Sequence, residues 1–108
     1  MVHVHRAGKD VVDHLFDGGS MQFVHGDHMT AMIWSFKEGA EVPRHEHHHE
    51  QVVHCIEGVL EVEAEGELYA LEAGDSLVIP GGVPHSARAA TVARGIDAFH
   101  PVREDYKF

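Results

Sequence analysis

The feature that most constrains this chain is the close spacing of its turn signals. Between them lie only short runs rich in Val, Ile, Met and aromatic residues. The turn signals are Gly18-Gly19, Gly26-Asp27, Gly39, Pro43, Gly58, Glu65-Gly66, Gly74-Asp75, Pro80 with Gly81-Gly82, and Pro84. Short strands separated in this way are typical of an all-β barrel or sandwich, so we predict an all-β fold.

Residues 59–71 carry the clearest hairpin pattern. Leu60, Val62 and Ala64 alternate with glutamates, and this period of two is that of a strand with one buried face. Glu65-Gly66 predicts a tight turn between the two strands of this hairpin. Further short strands are predicted at residues 76–79 and 93–99.

Residues 31–36 are apolar at nearly every position. Met32, Trp34 and Phe36 would point to one side of a strand, with Ala31 and Ile33 on the other. A strand covered on both faces needs a second layer or a partner. We therefore expect a homodimer built on this sheet, with burial between two sheets of one chain as the alternative.

Charge excludes several classes of partner. The chain has 18 acidic and 8 basic side chains, for a formal net charge of −10. Nucleic-acid binding needs a basic face, and an anionic membrane surface would repel this protein. We therefore expect the partner to be a small-molecule ligand. An anionic ligand would need a local positive centre to overcome the negative charge of the protein, and a metal could supply it.

Length and composition set the organisation that we expect. The 108 residues fit one domain, residues 1–108. The single cysteine, Cys55, cannot form an internal disulfide. The N-terminal residues lack the apolar core of a signal peptide, and no apolar run approaches the ~18 residues of a membrane helix, so we expect a cytoplasmic protein.

Histidine is the unusual component, with 12 residues, which can ligate metals or titrate near neutral pH. A pair such as His45 and His47, taken alone, is as consistent with two surface histidines as with a metal site. His45 and His47 would share one face of an extended strand, and Gln51 has the same parity if the strand stays regular. His85 follows the rigid turn at residues 80–84. Imidazoles suit zinc and other late transition metals.

The spacing around these residues resembles that of the cupin family. The first cupin motif is matched at residues 39–58 by Gly39-x5-His45-x-His47-x3-Gln51-x6-Gly58. The second is matched at residues 74–89, where the pattern is Gly74-x5-Pro80-x-Gly82-x2-His85. The resemblance implies a cupin or jelly-roll fold, a single antiparallel β-barrel. It also implies one divalent metal (Zn, Mn, Fe, Ni or Cu) held by His45, His47, Gln51 and His85.

The sequence departs from the fullest cupin pattern at two positions. Gln51 stands where that pattern has Glu, and Ala89 stands where the second motif often ends in Asn. A neutral amide ligand keeps the full +2 charge on the metal, which favours Lewis-acid chemistry over oxidation. A bend in the strand would instead make Glu50 or His49 the ligand, an alternative that stays open here.

The C-terminal pattern Asp97-x-Phe99-x-Pro101-x-Arg103-x-Asp105 resembles the end of several small cupins. One of these is the pectin-degradation cupin, which acts on unsaturated uronates. By position, the resemblance implies that Asp97 and Arg103 are catalytic and that Phe99 is substrate-binding. The alternatives are that Asp97 and Arg103 form a salt bridge that fixes the C-terminus, and that Phe99 is core.

The leading hypothesis is a metal-dependent enzyme with non-redox isomerase, lyase or cyclase chemistry on a small oxygenated metabolite such as a sugar acid. An iron-dependent dioxygenase and a non-catalytic metabolite-binding or sensor cupin are the alternatives. Fold alone does not choose between them, because one fold hosts many chemistries.

Overall fold

The structure is a computed structural model that describes residues 2–108. Within this range it contains nine β-strands and one 3-10 helix. The strands are β1 (Gly19–His25), β2 (Thr30–Phe36), β3 (Glu41–His45), β4 (Glu50–Glu57), β5 (Leu60–Ala64), β6 (Glu67–Leu71), β7 (Ser76–Ile79), β8 (His85–Ala89) and β9 (Ala93–His100). The 3-10 helix is Glu104–Tyr106. No helix in the described range is long and apolar enough to span a bilayer.

The strands form two antiparallel sheets. One has five strands in the order β1-β2-β9-β4-β7, and the other has four in the order β3-β8-β5-β6. The chain changes sheet between β3 and β4, so neighbours in sequence are often not neighbours in a sheet. This confirms the predicted all-β fold of cupin type.

The predicted hairpin is β5 and β6. Leu60, Val62 and Ala64 are buried as the period of two indicated. Glu65 and Gly66 connect the strands with φ values of 54° and 79°. Two consecutive positive φ angles are those of a type I′ turn, whose twist matches that of the flanking strands.

The core lies between the facing surfaces of the two sheets. Trp34 is 1% exposed on β2, and Val62 is 1% exposed on β5. Other members of the buried cluster are Met21, Phe36, Ala40, Val53, Cys55, Leu60, Leu71, Ile79, Ala89 and Ala93. Burial of these apolar side chains is the main source of stability for a sheet-on-sheet fold.

The outer face of the five-stranded sheet is open in the single chain. Ile33 on β2 pairs in register with Ile96 on β9, and the two are 41% and 39% exposed. The prediction that residues 31–36 are apolar on both faces therefore holds, but only one face is covered by this chain. The homodimer stays a prediction.

Candidate metal centre

Two of the predicted ligands are opposite each other in the four-stranded sheet. His45 ends β3 and is the register partner of His85 at the start of β8, and their ring centroids are 4.4 Å apart. Nδ1 of His45 lies 2.7 Å from the carbonyl oxygen of Pro43, and Nδ1 of His85 lies 2.8 Å from that of Val83. A carbonyl only accepts, so each Nδ1 carries the proton and each Nε2 is left as a lone-pair donor to a metal.

His47 reaches the site by a route different from the predicted one. The expectation that one regular strand carries His45, His47 and Gln51 is wrong, because β3 ends at His45 and β4 begins at Glu50. The segment between them crosses from the four-stranded to the five-stranded sheet. His47 lies in this crossing, and Gln51 is buried at the start of β4. The ligands therefore converge from two sheets instead of from one strand face.

The contact between His47 and Gln51 joins two acceptor atoms. Nδ1 of His47 donates to the carbonyl of His49 at 3.1 Å, which leaves Nε2 unprotonated. This Nε2 lies 3.0 Å from Oε1 of Gln51. Burial lowers the pKa of His47 from 6.5 to about 4, so the ring is neutral near pH 7. Two ligands bound at ~2.1 Å in adjacent positions on one metal lie about 3 Å apart, so a shared cation accounts for this spacing.

The side chain of His85 has a buried nitrogen without a hydrogen-bond partner in the described part of the chain. Its Nε2 is buried and has no hydrogen-bond partner among the described residues. Burial also lowers the pKa of His85, which keeps the ring neutral and able to ligate. Buried polar atoms in proteins are almost always paired, so an unpaired imidazole nitrogen beside two others fits a metal ligand.

The three imidazoles form one group. Ligand atoms of His45, His47 and His85 all lie within 4.8 Å of one another. Imidazole nitrogen donors suit zinc, copper, nickel or iron, and the amide oxygen of Gln51 adds a harder ligand. The residues present therefore fit a divalent metal, although their chemistry does not select one.

Gln51 is held from behind by a buried carboxylate. Its Nε2 donates to Oδ2 of Asp97 at 2.7 Å, and Nε1 of Trp34 donates to Oδ1 at 2.9 Å. Burial raises the pKa of Asp97 to about 7, while these two hydrogen bonds and the positive charge of Arg103 act in the opposite direction. The carboxylate thus faces the metal ligand, not open solvent.

Arg103 does not bind Asp97. Its guanidinium pairs with Asp105 through Nε at 3.0 Å and Nη2 at 2.8 Å. It also lies over the rings of Phe99, at 4.7 Å, and Tyr106, at 4.2 Å. The Asp97–Arg103 salt bridge considered as an alternative is therefore absent. Nη1 of Arg103 takes no part in the ion pair with Asp105.

A cavity of about 60 Å³ lies beside the ligands. It is lined mainly by apolar side chains from both sheets, together with His45, Gln51, His85, Asp97, Phe99 and Arg103. A volume of this size holds about two waters. All the predicted catalytic and binding residues thus line one cavity or, in the case of His47, lie beside it.

Neither of the alternative ligands belongs to the group of three imidazoles. Glu50 is exposed. His49 is 5% exposed, and its Nε2 binds the carbonyl oxygen of Val102 at 3.2 Å, so it anchors the C-terminal segment.

Sequence reasoning did not assign Trp34, Asp105 or Tyr106 to the site. Asp105 was visible as the last residue of the C-terminal pattern, but nothing in the sequence indicated the hydrogen bond of Trp34.

A scan of protein families matches the cupin domain family over residues 32–99, which is more than half of the chain. The chain belongs to the cupin domain family. A search of curated proteins finds that this cupin is 33% identical over 87 residues to L-ectoine synthase of Halomonas elongata, covering 79% of this chain and 58% of that protein. The chain thus spans little more than half of its curated relative.

Solved structures give closer matches in length. KdgF from Halomonas sp. is 33% identical with a TM-score of 0.82, over 89% of this cupin and 91% of that chain. An RmlC-like cupin from Shewanella frigidimarina is 31% identical with a TM-score of 0.88, over 98% and 96% of the two chains. Both cover nearly the whole of this chain, so the predicted membership of the small cupins is confirmed.

Proposed function

We propose that this cupin is a metal-dependent enzyme that carries out non-redox isomerase, lyase or cyclase chemistry on a small oxygenated metabolite such as a sugar acid. The observation that carries the proposal is the convergence of three imidazole nitrogens and one amide oxygen beside an arginine. The ligands are His45, His47, Gln51 and His85. A bound divalent metal would supply a Lewis acid that polarises a substrate oxygen.

Arg103 supports an anionic substrate. Its guanidinium is buried and already binds the carboxylate of Asp105 through two nitrogens. A substrate carboxylate could use Nη1 or replace Asp105, since the planar guanidinium matches a carboxylate bidentately. The buried ring of Phe99 would hold the guanidinium in place during this exchange.

The cavity limits the size of what can bind without movement. Its volume of about 60 Å³ is too small for a sugar acid. Tyr106 is a lining residue, and the 3-10 helix that carries it has no buried residue. We therefore infer that residues 104–108 shift when a substrate of this size enters, whereas a two- or three-carbon acid would need less movement.

The relatives add independent support. KdgF is similar over 89% of this chain, in line with the C-terminal signature, which resembles that of the pectin-degradation cupin. L-ectoine synthase is an enzyme by name and is also 33% identical. Both similarities favour enzyme chemistry on a small metabolite over a purely structural role.

Metal content is the first test. The tag-free protein should contain close to one divalent metal per chain, and a His47→Ala, His85→Ala variant should lose it. His28→Ala, which changes an exposed residue, is the matched control and should keep the metal. Failure of the parent chain to hold any metal after reconstitution would refute the proposal and leave a barrel used for binding.

Turnover is the second test. With zinc or manganese bound, unsaturated uronates should be converted, and Arg103→Ala should lower kcat/KM about 100-fold, since hydrogen bonds to charged groups contribute about 1.5–3 kcal/mol. Arg88→Ala, at an exposed ion pair with Glu61, is the control. Iron as the native metal together with oxygen uptake would favour a dioxygenase and count against non-redox chemistry.

A further inference from the structure

Asp97 receives two hydrogen bonds that come from opposite sides of its carboxylate. Trp34 donates to Oδ1 and Gln51 donates to Oδ2, at 2.9 and 2.7 Å. All three side chains are buried, with exposed fractions of 1% for Trp34, 6% for Gln51 and 4% for Asp97. Bulk solvent therefore has little access to this carboxylate, and the fold sets its protein partners.

The direction of each bond follows from the chemistry of the groups. An indole N–H can only donate, so Oδ1 must accept. The amide of Gln51 presents its NH₂ group to Oδ2, which leaves its oxygen on the opposite side, 3.0 Å from Nε2 of His47. If the amide turned over, it would aim two N–H groups at the metal site and could not ligate.

The sheet order brings these residues together. β9 lies between β2 and β4, so the inward side chains of Trp34, Asp97 and Gln51 come from three adjacent strands. Gly95 is the register partner of Trp34 and lies two residues before Asp97. A side chain at Gly95 would collide with the indole ring, so this glycine makes the space that lets the indole lie across β9.

We propose that Asp97 is a positioning residue for the metal centre: anchored by Trp34, it holds the amide of Gln51 with its oxygen toward the metal. It also places a carboxyl group directly behind a neutral ligand, where the family's fuller pattern has the carboxyl group on the ligand itself. This inference rests on the proposed metal site. It gives Asp97 a positioning role, whereas the C-terminal resemblance implied a catalytic one.

Asp97→Asn tests the orientation and keeps the shape of the side chain. Trp34 can only donate, so the introduced amide must turn its oxygen to the indole and its NH₂ group to Gln51. Gln51 can then accept only by turning its own amide over, which removes its oxygen from the metal. Outer-shell partners of this kind typically change metal affinity by about 10–100-fold, and we expect a loss in that range.

A second substitution should repair the first. When Gln51→Glu is combined with Asp97→Asn, one oxygen of the introduced carboxylate accepts from the introduced amide and the other faces the metal. The carboxyl group has then moved from one side chain to its neighbour while each hydrogen-bond donor still faces an acceptor, and the affinity should return to within about threefold of the parent. Gln51→Glu alone places two carboxylates against each other, so the metal-free variant should unfold more easily.

The measurement is the affinity of the metal-stripped chain for Zn²⁺, by competition with a chromophoric chelator, together with the visible spectrum of the Co²⁺ form. Asp27→Asn, in an exposed turn, is the matched control and should bind like the parent. Urea unfolding of each metal-free variant separates a loss of fold from a loss of ligand. A purely structural Asp97 would lower stability but leave affinity and spectrum unchanged.

The outcomes separate this inference from the metal site itself. If the parent chain binds Zn²⁺ and Asp97→Asn binds it equally well, or the double variant is not rescued, the positioning role is refuted while the metal site stands. If the parent chain binds neither Zn²⁺ nor Co²⁺, the proposed function and this inference both fail.

Discussion

The backbone N–H of Gly82 donates to the carbonyl oxygen of His47 at 2.7 Å. This bond joins the turn that precedes His85 to the crossing segment that carries His47. The two sequence motifs are therefore linked by a backbone hydrogen bond. The neighbouring Gly81 packs directly against the carbonyl group of His48, and an added side chain there would collide with it.

Gly81→Ala should therefore disturb the metal site without touching a ligand. The methyl group would push the turn away from His48 and move His85 relative to His47. We expect about a tenfold loss of Zn²⁺ affinity, in the range found for changes that misplace ligands. Gly26→Ala is the control, because the nearest atom to its added carbon would be 3.6 Å away. Equal affinities for the two variants would contradict this expectation.

Asp105→Asn should make stability less dependent on pH. The hydrogen bond with Arg103 holds the pKa of Asp105 below its ordinary value of 3.8. A lowered folded-state pKa contributes stability above that ordinary value, and the contribution is lost as the pH falls through the folded-state pKa. Asp105 is 56% exposed, so solvent screening limits the effect at pH 7 to about 1 kcal/mol.

Urea unfolding at pH 7, 5, 4 and 3, with a chelator present to remove metal, measures this effect. The difference in the free energy of unfolding between the parent and Asp105→Asn should shrink as the pH falls below 3.8. Glu104→Gln, at an exposed pair with Lys107, should show little difference at any pH. A gap of the same size at every pH would show that the charge of Asp105 is not the cause.

The outer face of the five-stranded sheet should pair with that of a second copy. Five strands ~4.8 Å apart and about 23 Å long cover ~550 Å² per copy, so ~1,100 Å² in total, near the lower limit of specific interfaces. The middle of this face, around Ile33 and Ile96, carries no acidic side chain, although the chain has 18. An acidic protein can approach its own copy most closely at such a face.

Light scattering after size exclusion checks the dimer. Ile33→Lys with Ile96→Lys should convert a dimer to a monomer. Leu68→Lys, which changes an exposed residue of the other sheet, should leave the dimer intact. A parent chain that is monomeric at about 100 μM, where weak complexes of micromolar Kd would form, would refute the homodimer.

Cys55 should be unreactive in the folded chain. It is 0% exposed, and burial raises the pKa of its thiol, so little thiolate is present near neutral pH. A chromogenic disulfide reagent should label no thiol in the native protein and one per chain in denaturant. Rapid labelling without denaturant would show that the core opens around β4.

Local patterns in the sequence were sufficient for the strands and for the choice of histidines. The alternation at Leu60, Val62 and Ala64 predicts a buried face because side chains on a strand repeat every two residues. The same rule failed at His47. Because β3 ends at His45, His47 lies outside a strand, where side chains do not alternate between two faces. The cupin motif nevertheless identified three histidines that the fold brings together, because its spacing covers the whole crossing from one sheet to the other.

The pairing of charged and polar side chains depended on tertiary structure. Asp97 and Arg103 are six residues apart and were natural candidates for a salt bridge, but they bind different partners. Arg103 takes the carboxylate of Asp105, which the 3-10 turn brings beside it. Asp97 instead points into the barrel from β9.

The sequence alone therefore determined the all-β class, the hairpin of β5 and β6, and the histidines that form the centre. These depend on periodicity and on short spacings, which act within a few residues. Only the tertiary structure decided that Asp97 would bind Trp34 and Gln51, which lie 63 and 46 residues from it in the chain. Those contacts follow from the placement of β9 between β2 and β4, and that order is set by the packing of two whole sheets.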